Sequence, residues 1–556
     1  MDSPKRKIED IKGNDQVVKR TKKEECPHGV KCYRRNPIHF REYGHEHLMQ
    51  FINKDPTKFP DNFTQDPKVY KDQLEVMRVL LKPIIASGSA NKKMSVVSSV
   101  STSQNKLVLK PIKTMKDKLE LAEPYNIFYT KVPKAVQTLN AQNAISFPDL
   151  LCPSLGVLNC SMQINFMIDI QWLLQQYKVH SLEKKPLTVI YGYEFPQMED
   201  FMKLYCKNVK YHRVQMKDPF GTHHSKIGLY LFEHGSLRVV VSTANLYYED
   251  WNHYNQGLWV SPPCPKLRDD QPDYACCGPT NFKTSLLNYL KSYKLPIMEE
   301  WIAIVKRADF SKVKVFLTTS VPGKHYPKDM GCHLHYVGAL LSKHSEFPKN
   351  PTNDNEKAIN WKVIAQASSI GSLGKNAGEW LRSSLLRSLA SHKDVPLVSN
   401  SQAKLKLIFP SANNVVNSHF GLEGGGCLPY AQKVHDKQKW LNEYLHTWKS
   451  DQLGRSGAMP HIKSYCRINE DNSLMTYFLL TSANISKSAW GGNIQKDSSS
   501  YVRSYEAGVL FLPKMFDKQY FKIGGNRVCD NPDHIFPLIF DLPLQHYSTK
   551  DEPWAN

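Results

Sequence analysis

The sequence predicts an α/β architecture: two pseudo-symmetric α-β-α domains that share one site, preceded by a disordered basic tail and a small CCHH zinc finger. Three observations predict it. From about residue 119 onward, apolar strand-like stretches (Leu187–Tyr191, Lys314–Thr318, Gly508–Leu512) alternate with helical ones (Asp169–Tyr177, Thr284–Tyr293). An element of the form His-x-Lys followed by a strand ending in Ala-Asn occurs twice, at His224 and again 237 residues later at His461. Ahead of both, Cys26, Cys32, His39 and His45 fall within twenty residues.

The repeat carries most of the functional information. His224-Ser-Lys226 precedes the run Leu237–Asn245, and His461-Ile-Lys463 precedes Tyr477–Asn484, with a Trp six residues past each Asn (Trp251, Trp490). With 21 histidines in a lysine-rich chain, roughly two His-x-Lys triplets should occur by chance, so context must separate signal from noise. A third triplet, His435-Asp-Lys437, serves as the control. Trp440, Leu441, Tyr444 and Leu445 beyond it have helical spacing, and it reads as a solvated helix face.

A chain of 556 residues exceeds one small core, and a formal charge of +21 points to a polyanionic partner, nucleic acid or an anionic membrane. The first 24 residues hold eight Lys/Arg against five Asp/Glu, so most of that charge lies elsewhere. No apolar stretch is long enough to span a bilayer and no secretory signal opens the chain, so neither a membrane-spanning nor a secreted protein is expected. Twelve cysteines in such a chain suggest reduced thiols rather than a disulfide framework.

The expected organisation is a tail over 1–24, a finger over 25–48, a linker over 49–118 and two halves over 119–318 and 319–556. The tail's basic clusters, Lys5–Lys7 and Lys19–Lys23, read as a two-part nuclear import signal. Asp72–Leu81 of the linker looks helical, and the Pro/Lys/His-rich stretch Val321–Lys328 marks the seam between the halves. In the finger, two thiols and two imidazoles suit tetrahedral zinc, and so short a segment has no core unless a metal supplies one. Its spacing differs from that of the common DNA-reading finger.

On a strand, residues i and i+2 share a face, so His224 and Lys226 point together, as do His461 and Lys463. His223 points the other way and reads as structural. Asn245 and Asn484 close neighbouring strands and add amide donors. Two such halves facing each other would cage one tetrahedral anion and supply a nucleophile, a proton and positive charge without a metal.

The duplicated pattern resembles the phospholipase D superfamily, and the stretch 119–556 closely resembles the tyrosyl-DNA phosphodiesterase family. Gly221–Lys226, Asn255–Trp259, Ser368–Gly374, Ala458–Lys463 and Arg503–Glu506 carry the likeness. Leu231 and Ile468 stand where the lipases have Asp, five residues after each Lys, which separates this branch from them. The resemblance implies that His224 attacks phosphorus to form a phosphohistidine, and that His461 protonates the departing tyrosine oxygen and later activates water. It implies that Lys226, Lys463, Asn245 and Asn484 bind phosphoryl oxygens, with Glu506 fixing His224 and Gln256 fixing His461. It further places DNA contacts at Phe220, Ser368, Ser369, Ser372, Trp380 and Ser486, and the peptide side of the substrate at the loop Gly424–Pro429.

The finger is similar to the poly(ADP-ribose)-binding zinc finger, most specifically over Cys32–His39, and that likeness implies ligand contacts at Tyr33 and Arg34. His28 and Glu46 depart from its pattern, which usually has an aromatic residue and Pro there. The implied whole is a nuclear, monomeric DNA-repair hydrolase, with cytoplasm as a second location. It would process 3′ ends that carry a topoisomerase I-derived peptide, with no catalytic cofactor, a structural zinc, and poly(ADP-ribose) as a further partner. A lipid phosphodiesterase and a catalytically idle poly(ADP-ribose)-binding scaffold are the alternatives. The missing Asp residues and the completeness of both half-sites argue against them.

Overall fold

The computed structural model describes residues 114–193, 195, 198–348, 357–393, 402–524 and 535–556, with 25, 26, 29, 32, 40, 43–49, 70, 73, 74 and 77 ahead of them. The tail with its import signal, most of the linker, and Tyr33, Arg34 and His39 lie outside the described residues. The chain divides into two compact units, Met1–Val96 and Val97–Asn556.

In the larger unit two sheets share one topology. The first contains β1 (Ile127–Thr130), β2 (Ala144–Ile145), β3 (Leu158–Met167), β4 (Leu187–Tyr193), β5 (Val209–Arg213), β6 (Ile227–Phe232), β7 (Leu237–Ser242) and β8 (Gly257–Val260), in the order β2-β1-β8-β7-β6-β3-β4-β5. The second contains β9 (Phe316–Ser320), β11 (Lys362–Gln366), β12 (Leu405–Ile408), β13 (Leu445–His446), β14 (Ser464–Ile468), β15 (Leu474–Thr481) and β17 (Glu506–Phe511), in the order β13-β12-β11-β14-β15-β17-β9. Within the sequence span of the second sheet, β10 (Gly323–His325) pairs with β16 (Ser500–Val502), and beyond it β18 (Phe521–Lys522) is added to β15.

Reading both orders from the same edge, β5-β4-β3-β6-β7-β8-β1 corresponds to β13-β12-β11-β14-β15-β17-β9. Each pairing keeps its sense: β3/β4 and β11/β12 are parallel, while β3/β6, β6/β7 and β7/β8 are antiparallel like β11/β14, β14/β15 and β15/β17. The second sheet already begins at Phe316, because β9 pairs with β17 from Ser320 back to Phe316. The expected boundary between 318 and 319 therefore falls inside a strand, and the stretch Val321–Lys328 lies just beyond it.

The strands form where apolar and β-branched residues run on with little alternation, as in Leu237-Arg-Val-Val-Val-Ser242, which suits strands covered on both faces. On one face of the first sheet, the helices Met115–Ala122, Ile170–Lys178 and Met198–Tyr205 bury Met115, Leu173 and Met202. Asp169 starts the second of these by accepting the N–H groups of Gln171 and Trp172 at 3.0 and 3.1 Å. On the other face a single apolar core runs without a break from Ile127, Met162 and Ile227 through the helix Phe282–Ser292 to Val363, Phe478 and Leu510 of the second sheet. The two halves therefore share one core rather than forming two separate domains.

His435 departs from the solvated helix expected around it. It is 2% exposed, with Tyr430 Oη 3.3 Å from its Nδ1, while Gln432, Lys433, Asp436 and Lys437 around it are exposed. In the smaller unit Phe40, Leu48, Tyr70 and Leu74 are buried, and Gln73 Nε2 donates to the Cys32 carbonyl at 2.6 Å.

Candidate active site

Both His-x-Lys elements sit in the extended segments that lead into equivalent strands, His224–Lys226 into β6 and His461–Lys463 into β14. The ladder reaches only as far as the lysines: Ser242 N–H donates to the Lys226 carbonyl at 3.0 Å and Thr481 N–H to that of Lys463 at 3.1 Å. Each histidine is instead held by the opposite half. His224 N–H donates to the Tyr505 carbonyl at 2.9 Å, and His461 N–H donates to the Asn255 carbonyl at 3.0 Å. His223 bridges to Tyr505 and Pro460 to Asn255, both in parallel sense. The two elements therefore interlock across the pseudo-dyad.

The residues after those anchors face the rings. Glu506 Oε2 is 2.9 Å from His224 Nδ1, while the Gln256 amide lies 2.9 Å (Nε2) and 3.1 Å (Oε1) from His461 Nδ1. Glu506 and Gln256 occupy one pseudo-symmetric slot, braced in one half by the Ser482 hydroxyl and in the other by the Thr243 hydroxyl at 2.8 Å. Thr243 also accepts the Gly257 N–H at 2.9 Å, and its own O–H donates to Gln256 Oε1.

Lys226 Nζ donates to the His224 carbonyl at 2.7 Å, and Lys463 Nζ makes the same contact with the His461 carbonyl. Asn484 Oδ1 accepts the N–H groups of Ser368 and Ser369 at 3.1 and 3.0 Å, which leaves its amide nitrogen as the donor for a ligand. Asn245 is 3% exposed, and its Oδ1 has no partner among the described residues. His223, as expected of a structural residue, is buried between the Asn165 carbonyl (3.1 Å) and Tyr293 Oη (2.8 Å).

Burial dominates the electrostatics. It holds Lys226 and Lys463 down to about 7, each in a cluster that also contains Glu506 and Asp250. Burial, reinforced by Lys463, lowers His461 to about 4. It lowers His224 as well, with Glu506 pulling the other way. For Glu506, burial works upward but is outweighed by His224, so the carboxyl sits below its usual range. Lys463 acts on His224 and Lys226 on His461, as they must when both halves face one site. With Nδ1 of each ring engaged, Nε2 is the nitrogen available to a ligand, and the two ammonium and two amide groups suit one anion.

Sequence reasoning missed Asp250. It is fully buried, with Oδ2 3.3 Å from His461 Nδ1, so His461 faces a carboxylate as well as the expected amide. A comparison of the repeats' flanks could have found it, because five residues after Asn245 stands Asp250, whereas five after Asn484 stands Ala489.

Two of the anticipated DNA contacts have other parts. Trp380 is fully buried and its indole donates to the Gly491 carbonyl at 2.9 Å, so it belongs to the core. Ser368 is also fully buried, and its hydroxyl and N–H both serve Asn484. The Ser369 hydroxyl donates to the Pro429 carbonyl at 2.6 Å, and Ser486 caps the helix Lys487–Trp490. Ser372 is exposed. Phe220 is 73% exposed, with the Arg503 guanidinium 5.7 Å from its ring centre. In the smaller unit, ligand atoms of Cys26, Cys32 and His45 lie within 4.8 Å of one another. Three soft or borderline donors converging there fit zinc.

Two equivalent halves that jointly present paired imidazole, ammonium and amide groups define a phosphodiesterase with one composite site. Comparison with known proteins is more specific. The family model "Tyrosyl-DNA phosphodiesterase" matches residues 126–548, and that of the PBZ domain, a CCHH zinc finger, matches residues 23–48. The chain belongs to the tyrosyl-DNA phosphodiesterase family and is a DNA-repair hydrolase of tyrosyl-DNA linkages. It is 37% identical to tyrosyl-DNA phosphodiesterase 1 of Drosophila melanogaster over 95% of this chain and 98% of the relative. It is 32% identical to a probable tyrosyl-DNA phosphodiesterase of Caenorhabditis elegans over 78% and 89% of the two chains. The crystal structure of the yeast tyrosyl-DNA phosphodiesterase shares the fold, with a TM-score of 0.58 over 77% of this chain and 99% of that one at 22% identity.

Proposed function

We propose that His224 is the nucleophile and His461 the proton carrier in a two-step hydrolysis of 3′-phosphotyrosyl DNA ends. The observation that carries this reading is the tie of each Nδ1 to a partner from the opposite half. Glu506, held ionised, accepts a hydrogen bond from the Nδ1–H of His224 and so leaves the Nε2 lone pair to attack phosphorus. As the P–N bond forms, the bond from phosphorus to the tyrosine oxygen breaks, and that oxygen takes the Nε2 proton of His461. The now neutral His461 then removes a proton from water. The hydroxide attacks phosphorus, the P–N bond breaks, and a 3′-phosphate leaves. Lys226, Lys463, Asn245 and Asn484 carry the non-bridging oxygens, and their arrangement supports catalysis without a metal.

Exposed Phe220 beside Arg503 suits stacking on a terminal base of any identity. The loop Gly424–Pro429 would face the topoisomerase I-derived peptide. Zinc on Cys26, Cys32, His39 and His45 would fold the finger that binds poly(ADP-ribose), with Tyr33 and Arg34 as contacts, and so bring a monomeric enzyme to breaks in the nucleus.

An end-labelled 3′-phosphotyrosyl oligonucleotide tests the chemistry. His224→Ala should release no tyrosine above background, a loss of about 10³-fold or more. Turnover by that variant would remove His224 from the nucleophile's place.

A further inference from the structure

The pseudo-symmetry isolates one charge that the two halves do not share. Asn245 and Asn484 head equivalent turns, each followed six residues later by a buried Trp, yet Asp250 in the first turn corresponds to Ala489 in the second. The second half builds its turn without a carboxylate, using Ser486 as a cap. A turn of this kind therefore forms in this chain without a carboxylate at that place, although in the first half, where Tyr247 gives no side-chain cap, Asp250 also accepts the Asn245 N–H.

A fully buried carboxylate is also unfavourable unless something compensates for it. Oδ2 accepts the Asn245 N–H and faces His461 Nδ1 at 3.3 Å, and the Tyr247 hydroxyl also donates to this carboxylate. Among ionisable groups, the largest influence holding Asp250 down, to about 2 against the upward push of burial, is His461.

We propose that Asp250 is a positioning residue that holds His461 with its proton on Nδ1 and favours the imidazolium from which the tyrosine oxygen is protonated. The proposal rests on the proton-carrier reading of His461. The slot that gives His224 its carboxylate holds the neutral Gln256 on the other side, so the charge for His461 comes from a different place in the chain. Each catalytic imidazole then faces one carboxylate contributed by the opposite half. The separations are 2.9 Å for His224 and Glu506 and 3.3 Å for His461 and Asp250.

The other groups that bear on this ring oppose Asp250 or are neutral. Lys463 and Lys226 both disfavour the imidazolium. Burial pushes the Cys427 thiol and the Tyr247 hydroxyl well up, so both stay uncharged. Asp250 is thus the nearby group of the chain that supports the protonated form, until the substrate's own anion arrives.

Single-turnover adduct formation on 3′-phosphotyrosyl and 3′-(4-nitrophenyl phosphate) oligonucleotides, followed from pH 5 to 9, tests this. Asp250→Asn keeps an oxygen for the Asn245 N–H but loses the charge. It should slow the tyrosyl substrate by about tenfold or more and move the alkaline limb of its pH profile downward, while 4-nitrophenol, which needs little protonation, leaves at a nearly unchanged rate. Adding Gln256→Glu, which places a carboxylate in the slot that Glu506 fills on the other side, should restore much of the lost rate. Equal losses on both substrates with an unmoved pH limb, and no rescue, would reduce Asp250 to a structural residue. His461→Asn, measured in parallel, separates the two readings. Selective loss on the tyrosyl substrate there, with none in Asp250→Asn, sinks the Asp250 proposal alone, whereas no selectivity in His461→Asn overturns the proton-carrier reading beneath it.

Discussion

Lys226 and Lys463 illustrate how burial sets function at the scale of one residue. Both are enclosed so completely that their ammonium groups titrate near 7 instead of above 10. A bound phosphodiester reverses this by placing negative charge where solvent is missing. Ligand binding should therefore take up protons near neutral pH. At pH 7.5 the binding enthalpy of a 3′-phosphorylated oligonucleotide should vary with the ionisation enthalpy of the buffer, and affinity should weaken as pH rises through about 7 and the lysines discharge. A buffer-independent enthalpy in calorimetry would mean that the lysines are charged in the empty enzyme. Composition alone cannot reveal such a shift, because a Lys in a motif reads the same whether water or a buried carboxylate surrounds it. Asp250 escaped notice for a related reason. Its partner lies 211 residues away, beyond any periodicity, and only the Asp250/Ala489 difference between the repeats hints at it. Ser368 and Trp380 show the converse, since a Gly-flanked serine loop looks alike whether its hydroxyls meet a ligand or an asparagine.

Among the elements, the strands were the most legible part, because apolar runs bounded by Asn, Gly and Pro identify them with little ambiguity. Alternation along a strand placed Lys226 and Lys463 on common ground with their histidines, but the histidines themselves lie just outside the ladders. What fixes them is the contact of one lead-in segment with the other half's strand entry, a tertiary pairing with no local signature. That pairing is tight. A Cβ on Gly221 would meet the Arg503 carbonyl oxygen at 2.3 Å, and this neighbour is backbone rather than a side chain that can swing aside. Gly221→Ala should therefore push the His224 segment away from the Arg503–Glu506 segment and loosen the His224–Glu506 hydrogen bond. The expected result is a loss of about 1–3 kcal/mol in thermal unfolding, together with a fall in kcat larger than any change in KM. Unchanged kcat would show that the brace tolerates the shift and that Glu506 follows His224.

For the whole molecule, the sequence resolved two kinds of unit with different needs. The catalytic part has a continuous apolar core through both sheets and paired cationic groups in its site, so neither its stability nor its proposed chemistry calls on a metal. In the smaller unit, Cys26, Cys32 and His45 converge to within 4.8 Å of one another, and the helix-forming residues Tyr70, Gln73 and Leu74 are buried along with Leu48. Without zinc, two buried thiols and an imidazole lose the ion that would hold them together, and a segment this small keeps little of its fold. Stripping the full-length protein with a strong chelator should therefore separate two activities. Hydrolysis of a 3′-phosphotyrosyl oligonucleotide should continue within about twofold of its untreated rate, because Lys226 and Lys463 stand where a metal-dependent enzyme has its cations. Retention of the same sample on immobilised poly(ADP-ribose) should collapse and return when zinc is added back. Loss of hydrolysis in parallel with poly(ADP-ribose) binding would overturn the metal-free site, and retention that survives chelation would move poly(ADP-ribose) recognition from the finger to the basic surface of the rest of the chain.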